Sequence, residues 1–258
     1  MRSFLLVFYG NTGSSWLIQT IGSPRTVYIP AFEPLEKWAW EVTEAERLEW
    51  MRTVFSPPDD RSGAEYRAWL ENVGQNPHFG APKNPAFSVV GFKMHSHTID
   101  DHAALLKTLR DLDSKVIVLQ RTNRIKHALS LYRYHEEGKS QFDKSGVRPP
   151  SELDLEVFHR WVKESVALHR QSKAFWKEAV ALLGRDALER VNYEAFIDEA
   201  GKVETMERLA DFLGIDGLSY TASVFKKATP DSLEAAVVNF DELAARYAGT
   251  KFQKHLTG

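Results

Sequence analysis

Apolar residues follow two rhythms along this chain. From residue 3 to 9 they run almost unbroken (SFLLVFY), and shorter runs of the same kind recur at Thr26 to Ile29, Phe87 to Lys93 (FSVVGFK), Lys115 to Leu119 (KVIVL) and Leu188 to Tyr193. Unbroken runs of this length predict strands covered on both faces, as in a parallel sheet. Elsewhere apolar positions are spaced by three and four. That spacing predicts helices at Ser14 to Ile21, Glu33 to Val54, Asp100 to Leu112, Asn123 to Glu137, Glu152 to Leu183, Val203 to Leu213 and about Asp231 to Tyr247. Strands alternating with helices give an α/β fold built on a doubly wound parallel sheet. Two stretches break both rhythms, Val73 to Pro85 (VGQNPHFGAPKNP) and Glu137 to Pro150 (EGKSQFDKSGVRPP), and their Gly, Pro, Asn and Lys content makes them loops of a length that suits lids or binding elements. The expected organisation is one domain over 1–258, with a helical, aromatic-rich insertion at about 31–85 and a flexible loop at about 137–150.

Composition narrows the partners. Lys and Arg number 33 against 35 Asp and Glu, with no basic stripe, so a nucleic-acid partner is not expected and any phosphate site is local. The chain has no cysteine, which removes disulfides, thiolate zinc sites and cysteine nucleophiles together. FLLVFY is too short for a signal-peptide core, and no run approaches the ~18 apolar residues of a membrane span, so a soluble cytoplasmic protein is expected.

The first strand runs into FYGNTGSSWLIQ, residues 8 to 19. Gly10 and Gly13 allow a tight turn and close approach to a ligand, while Asn11, Thr12, Ser14 and Ser15 crowd hydrogen-bonding groups at a helix start. A strand, a glycine-containing loop and a helix N-terminus make a phosphate cradle. The nucleotide-triphosphatase form GxxxxGK[ST] is absent, which argues against a kinase or ATPase. A second segment, LQRTNRIKHALSLYR (119 to 133), sets Arg121 at the carboxyl end of a strand, where α/β ligand sites lie, and Ser130 two turns into a helix that Asn123 can cap.

The stretch YGNTGSSW resembles the 5′-phosphosulfate loop of sulfotransferases, usually written YPKSGTTW: Tyr9, Gly13 and Trp16 match outright, and Thr12, Ser14 and Ser15 conservatively. Arg121 and Ser130 look like the family's 3′-phosphate site, at a nine-residue step similar to that of bacterial members acting on carbohydrates and glycolipids. VNYEAFIDEAGKVETMERLADFLGI (191 to 215) resembles the family's strand, Tyr-Glu pair and following helix, which implies that Tyr193 contacts the adenine. Lys93-Met94-His95 looks like the family's Lys-Thr-His, where the His is the general base; an unperturbed imidazole, titrating near 6.5, suits that task, with His97 as second candidate on the same strand face. The C-terminal segment 223 to 252 resembles the tail of bacterial members, and Lys226 or Lys227 is the candidate to close over the 3′-phosphate.

The resemblance implies a P-loop-like three-layer fold with a central parallel sheet flanked by helices, and transfer of a sulfuryl group from 3′-phosphoadenosine 5′-phosphosulfate (PAPS) to a hydroxyl or amine of a small-molecule, carbohydrate or lipid acceptor. PAP is then the product, and no metal is required. One departure matters: where the family carries Lys or Arg in the loop, this chain has Asn11. That cation neutralises charge on the bridging oxygen as the sulfuryl group leaves. Asn11 keeps a hydrogen-bond donor, and Lys93 on the neighbouring strand end is expected to supply the missing charge.

Two other readings stay open. HSHTIDDH (95 to 102) is close to the HxHxDH signature of binuclear zinc hydrolases, with His95, His97, Asp101 and His102 as ligands, although one residue too many intervenes. A sulfotransferase-like protein without its loop cation can also bind nucleotide and turn over weakly or not at all. For the acceptor, Trp38, Trp40, Trp50 and Trp69 with Phe32, Phe55 and Tyr66 are expected to form an aromatic wall, part helix core and part cleft, or a homodimer face.

Overall fold

The computed structural model describes residues 1–38, 40–138, 149–216, 218 and 232–256. Five strands, β1 (Arg2–Phe8), β2 (Val27–Tyr28), β3 (Val89–His95), β4 (Lys115–Gln120) and β5 (Leu188–Asn192), form one sheet in the order β2-β3-β1-β4-β5. Every pairing is parallel. Around the sheet lie α1 (Ser14–Ile21), α2 (Glu44–Phe55), α3 (Ala64–Val73), α4 (His102–Asp111), α5 (Arg124–His135), α6 (Leu155–Leu183), α7 (Tyr193–Ile197), α8 (Glu199–Leu213), α9 (Leu233–Ala236) and α10 (Phe240–Tyr247). No described helix is long and apolar enough to cross a membrane.

Side chains of β1 alternate between two cores, as strand geometry requires. Leu5 and Val7 pack with α2, α3, α4 and α6, whereas Phe4, Leu6 and Phe8 pack with α1, α7 and α8. Both faces are covered, which is why the strands read as continuous apolar runs. A third core joins α5 and the start of α6 to α9 and α10. The chain moves outward on one side of β1 to β2 and β3, then crosses to β4 and β5 on the other. The crevice beyond the carboxyl end of β1 is therefore the switch point where α/β ligand sites form.

The expected helix at Glu33 to Val54 is shorter. Residues 33–38 and 40–43 are irregular, and α2 begins only where Thr43 and Glu46 form a reciprocal capping box. The segment SPPDDRSG (56 to 63) then stops α2, and α3 follows Gly63; periodicity alone missed this helix. At the C-terminal end the single expected helix is two, α9 and α10, separated by Val237 to Asn239, because Val237 bridges Ser151 as extended chain.

Gly91 sits opposite Phe4 in the β1–β3 ladder, and a Cβ at Gly91 would lie 2.3 Å from the Phe4 ring. The glycine is what lets this ring lie against the sheet. Gly91→Ala should destabilise the fold by about 1–3 kcal/mol through overpacking, read as a lowered Tm, and Phe4→Leu in the same background should recover part of the loss. An unchanged Tm in Gly91→Ala would contradict this packing.

Candidate active site

The loop after β1 turns sharply: Gly10, Asn11 and Gly13 have φ of 49°, 40° and 77°, a left-handed conformation open to glycine and tolerated by asparagine. No side chain caps α1, so its first amides are left for a ligand. The Gly10 peptide is held from two sides. Its N–H donates to His95 Nε2 (2.9 Å), and its carbonyl accepts from His127 Nε2 (3.0 Å). His127 lies on α5, and its other ring nitrogen, Nδ1, meets Ser165 Oγ of α6 at 3.0 Å.

Lys93, 2% exposed at the carboxyl end of β3, reaches the start of α1. Its Nζ donates to Ser15 Oγ (2.8 Å), Ser14 Oγ (3.3 Å) and the Glu33 carboxylate. Burial lowers the Lys93 pKa, and Glu33 opposes that shift. The Phe8 ring lies 4.9 Å from the ammonium. Two residues on, the His95 amide donates to Glu36 Oε1 (3.1 Å), which also accepts from Thr98 Oγ1, so one carboxylate fixes the strand end. His95 differs from expectation: desolvation first, then His97 and Lys93, push its pKa down to about 3. It is neutral at pH 7, with Nε2 accepting from Gly10 and Nδ1 facing the His97 amide at 3.4 Å.

Arg121 follows β4 and is 8% exposed. Its Nη1 donates to the Asn11 carbonyl (3.3 Å), its guanidinium lies 4.6 Å from the centre of the Tyr193 ring, and its Nε is 3.8 Å from Glu194. Tyr193 packs on the loop, since a Cβ at Gly13 would lie 2.5 Å from its ring. Ser130 meets the loop through its carbonyl, which accepts from Asn11 Nδ2 at 3.4 Å. Glu194 accepts from the amides of Thr122 (2.8 Å) and Asn123 (2.9 Å). Burial raises its pKa, but those amides together with Arg121 outweigh burial and leave it lowered. Loop residues Asn11 and Gly13 thus come into contact with Arg121, Ser130 and Tyr193, while Ser14 and Ser15 come into contact with Lys93. Thr12 turns its side chain inward, only 1% exposed, and the partly buried Trp16 ring meets Phe196 edge-on. Lys226 and Lys227 lie outside the described residues.

Beside the loop opens a cleft of about 760 Å3, reached by Gly10, Asn11, Glu33, Glu36, His95 and His97. Its aromatic lining differs from the expected wall. Trp50, Trp69, Tyr66 and Phe55 are core, and Trp40 packs against them. Of the four tryptophans only Trp38, 72% exposed, faces the cleft; Trp161 and Tyr134, which the sequence reading missed, supply the other aromatic walls. Glu33, Glu36 and His127 were missed as well. For Glu33 and Glu36 the visible signal was the pair of carboxylates in FEPLE, residues 32 to 36, at the start of the expected helix from Glu33 to Val54.

The HSHTIDDH segment does not close on an ion. The His95 and His97 rings lie 3.7 Å apart, but His102 turns to the Ser96 carbonyl (3.1 Å) and toward Glu178, and Asp101 caps α4. Among the described residues no three His, Asp or Glu side chains are grouped to hold a metal.

No protein-family model and no curated protein matches the chain. Solved structures similar to it include a sulfotransferase from Alicyclobacillus acidocaldarius (17% identity, 96% of this chain and 92% of that one, TM-score 0.49). Others are the sulfotransferase domain from the curacin biosynthetic pathway (14%, 87% and 80%, 0.49) and mouse sulfotransferase SULT7A1 complexed with PAP (13%, 87% and 61%, 0.44). No residue role is carried over at these identities.

Burial likewise holds His127 down at about 3 and His169 at about 4. Unfolding releases these imidazoles to titrate near 6.5, so the unfolded chain binds more protons between pH 6.5 and 3. Their contribution to stability is complete above pH 6.5, and Tm should fall as the pH is lowered through that window. In NMR titrations of the folded protein, His95 and His127 should not titrate between pH 8 and 5; a midpoint near 6.5 at either would contradict the burial described.

Proposed function

We propose that this chain is a sulfotransferase that moves a sulfuryl group from PAPS to a hydroxyl or amine of a small-molecule, carbohydrate or lipid acceptor. The observation that carries this reading is the meeting of the residue 10–16 loop, Lys93, Arg121 and Tyr193 at four neighbouring strand ends. These groups suit a nucleotide with a 5′-phosphosulfate and a 3′-phosphate. The helix start is uncapped, an ammonium touches its two serines, and the Arg121 guanidinium lies against the Tyr193 ring.

In this reading the amides of residues 12 to 16, with Ser14 and Ser15, bind the 5′-phosphosulfate, Arg121 and Ser130 the 3′-phosphate, and Tyr193 the base. Bound PAPS supplies the sulfuryl group and a stable anionic leaving group. Lys93 replaces the absent loop cation, since its ammonium already sits at the head of α1, and Glu33 keeps it charged in spite of burial. Asn11 contributes a neutral donor. His95 faces the cleft and takes the acceptor proton at Nε2, exchanging the Gly10 N–H for the acceptor hydroxyl.

The test is PAP release from PAPS across a panel of hydroxyl and amine acceptors. Lys93→Met should lower kcat by about 10²–10³-fold with a smaller change in PAP affinity; unchanged turnover would remove Lys93 from the chemistry. Because His95 is already deprotonated well below neutrality, kcat/KM should lack an acid limb near pH 6.5 and hold level down to about pH 5. PAP binding without transfer to any acceptor would leave a nucleotide-binding protein and overturn the catalytic part.

A further inference from the structure

Behind the loop, between β4, α5 and α6, lies a small cavity lined by Tyr9, Thr12, Gln120, Arg121, Arg124, His127, Leu168, His169 and Ser172. Its volume of about 10 Å3 is that of a single water-sized occupant. Five polar atoms in this wall, Tyr9 Oη, Thr12 Oγ1, Gln120 Nε2, Arg121 Nε and Ser172 Oγ, are buried without a hydrogen-bond partner. Ser172 is near enough to Tyr9 to lower its pKa slightly against the rise caused by burial, yet the two make no hydrogen bond of normal geometry. Five such atoms around one void are too many to leave unfilled, because each costs about 1–3 kcal/mol when unsatisfied.

The chemistry of the wall selects the occupant. Arg121 Nε and Gln120 Nε2 can only donate, and the three hydroxyls can all turn to donate. Arg121 and Arg124, 8% and 7% exposed, bring two guanidinium charges. No carboxylate is among the lining residues. Glu194 is the carboxylate whose charge both guanidinium groups feel, and Glu178 is felt at Tyr9 from outside the lining. Five donors beside two buried cations that share one carboxylate form a site short of one negative charge.

We propose that this cavity binds one monovalent anion of halide size, which ties the floor of the loop at Tyr9 and Thr12 to β4, α5 and α6. The anion accepts from all five orphaned donors. It takes the Nε of Arg121, whereas Nη1 donates to the Asn11 carbonyl of the loop. The inference stands without the sulfotransferase reading, and its test uses nucleotide-free protein.

Crystals grown in sodium bromide should show an anomalous peak within hydrogen-bond distance of Arg121 Nε and Gln120 Nε2. In solution, chloride or bromide replacing gluconate at constant ionic strength should raise Tm saturably by about 3–6 °C at tenfold its dissociation constant. Ser172→Ala and Gln120→Leu, each a different wall of the cavity, should weaken that halide dependence. A refined water with no anomalous signal in the cavity would overturn the proposal, as would a Tm that tracks ionic strength alone. A bromide peak without any halide-specific Tm shift is binding at crystal concentration only, and would also overturn it.

Discussion

The Gly10 peptide unit is the point on which the site depends. Its N–H is held by His95 from β3 and its carbonyl by His127 from α5, so the elements on either side of β1 are tied through one residue of the loop between them. The two imidazoles play opposite parts: His95 accepts at Nε2, whereas His127 donates there, with its Nδ1 against Ser165. His95 must be neutral to accept at Nε2, and burial keeps both rings uncharged. Each bond contributes about 1 kcal/mol on its own. Together they fix the left-handed turn that opens the helix start, because a loop with φ above zero at three of four positions keeps its shape only where its surroundings hold it.

The same turn explains the unusual charge arrangement. Asn11 occupies a left-handed position and uses its side chain and carbonyl to meet Ser130 and Arg121. Asparagine tolerates that backbone better than most side chains. A cation is nonetheless present at the head of α1, delivered from β3 rather than from the loop. Lys93 is nearly sealed from water, and Glu33 with the two serine hydroxyls offsets the desolvation of its ammonium. Glu33 therefore belongs to the site although it lies in the irregular segment before α2.

Much of the sheet was legible because burial on both faces writes itself as unbroken apolar runs; all five strands lie where FLLVF, VY, VVGF, KVIVL and LERVN stand in the chain. The segment 33 to 54 was misread because apolar spacing continues across residues that never become helical, and only the Thr43 and Glu46 capping pair marks the true start. The tryptophans could not be sorted into core and cleft from spacing, since Trp50 is buried by α3 and Phe92, far away in sequence. Loop, Arg121, Tyr193 and Lys93 were readable because each lies at or just past the carboxyl end of a strand. His127, Glu33 and Glu36 were not, because their roles arise from contacts across 59 to 117 residues of chain. The His95 environment was equally hidden, as desolvation is a property of the packed site and not of the letters around it.

The central claim is that this crevice recognises a nucleotide by its 3′-phosphate as well as its 5′ end, and calorimetric titration tests it most directly. Adenosine 3′,5′-bisphosphate should bind in the micromolar range and at least about tenfold more tightly than adenosine 5′-monophosphate, a difference of about 1.4 kcal/mol, and Arg121→Ala should abolish that preference while leaving the fold intact. No binding of the bisphosphate, or equal binding of the two nucleotides by the wild-type chain, would contradict the account.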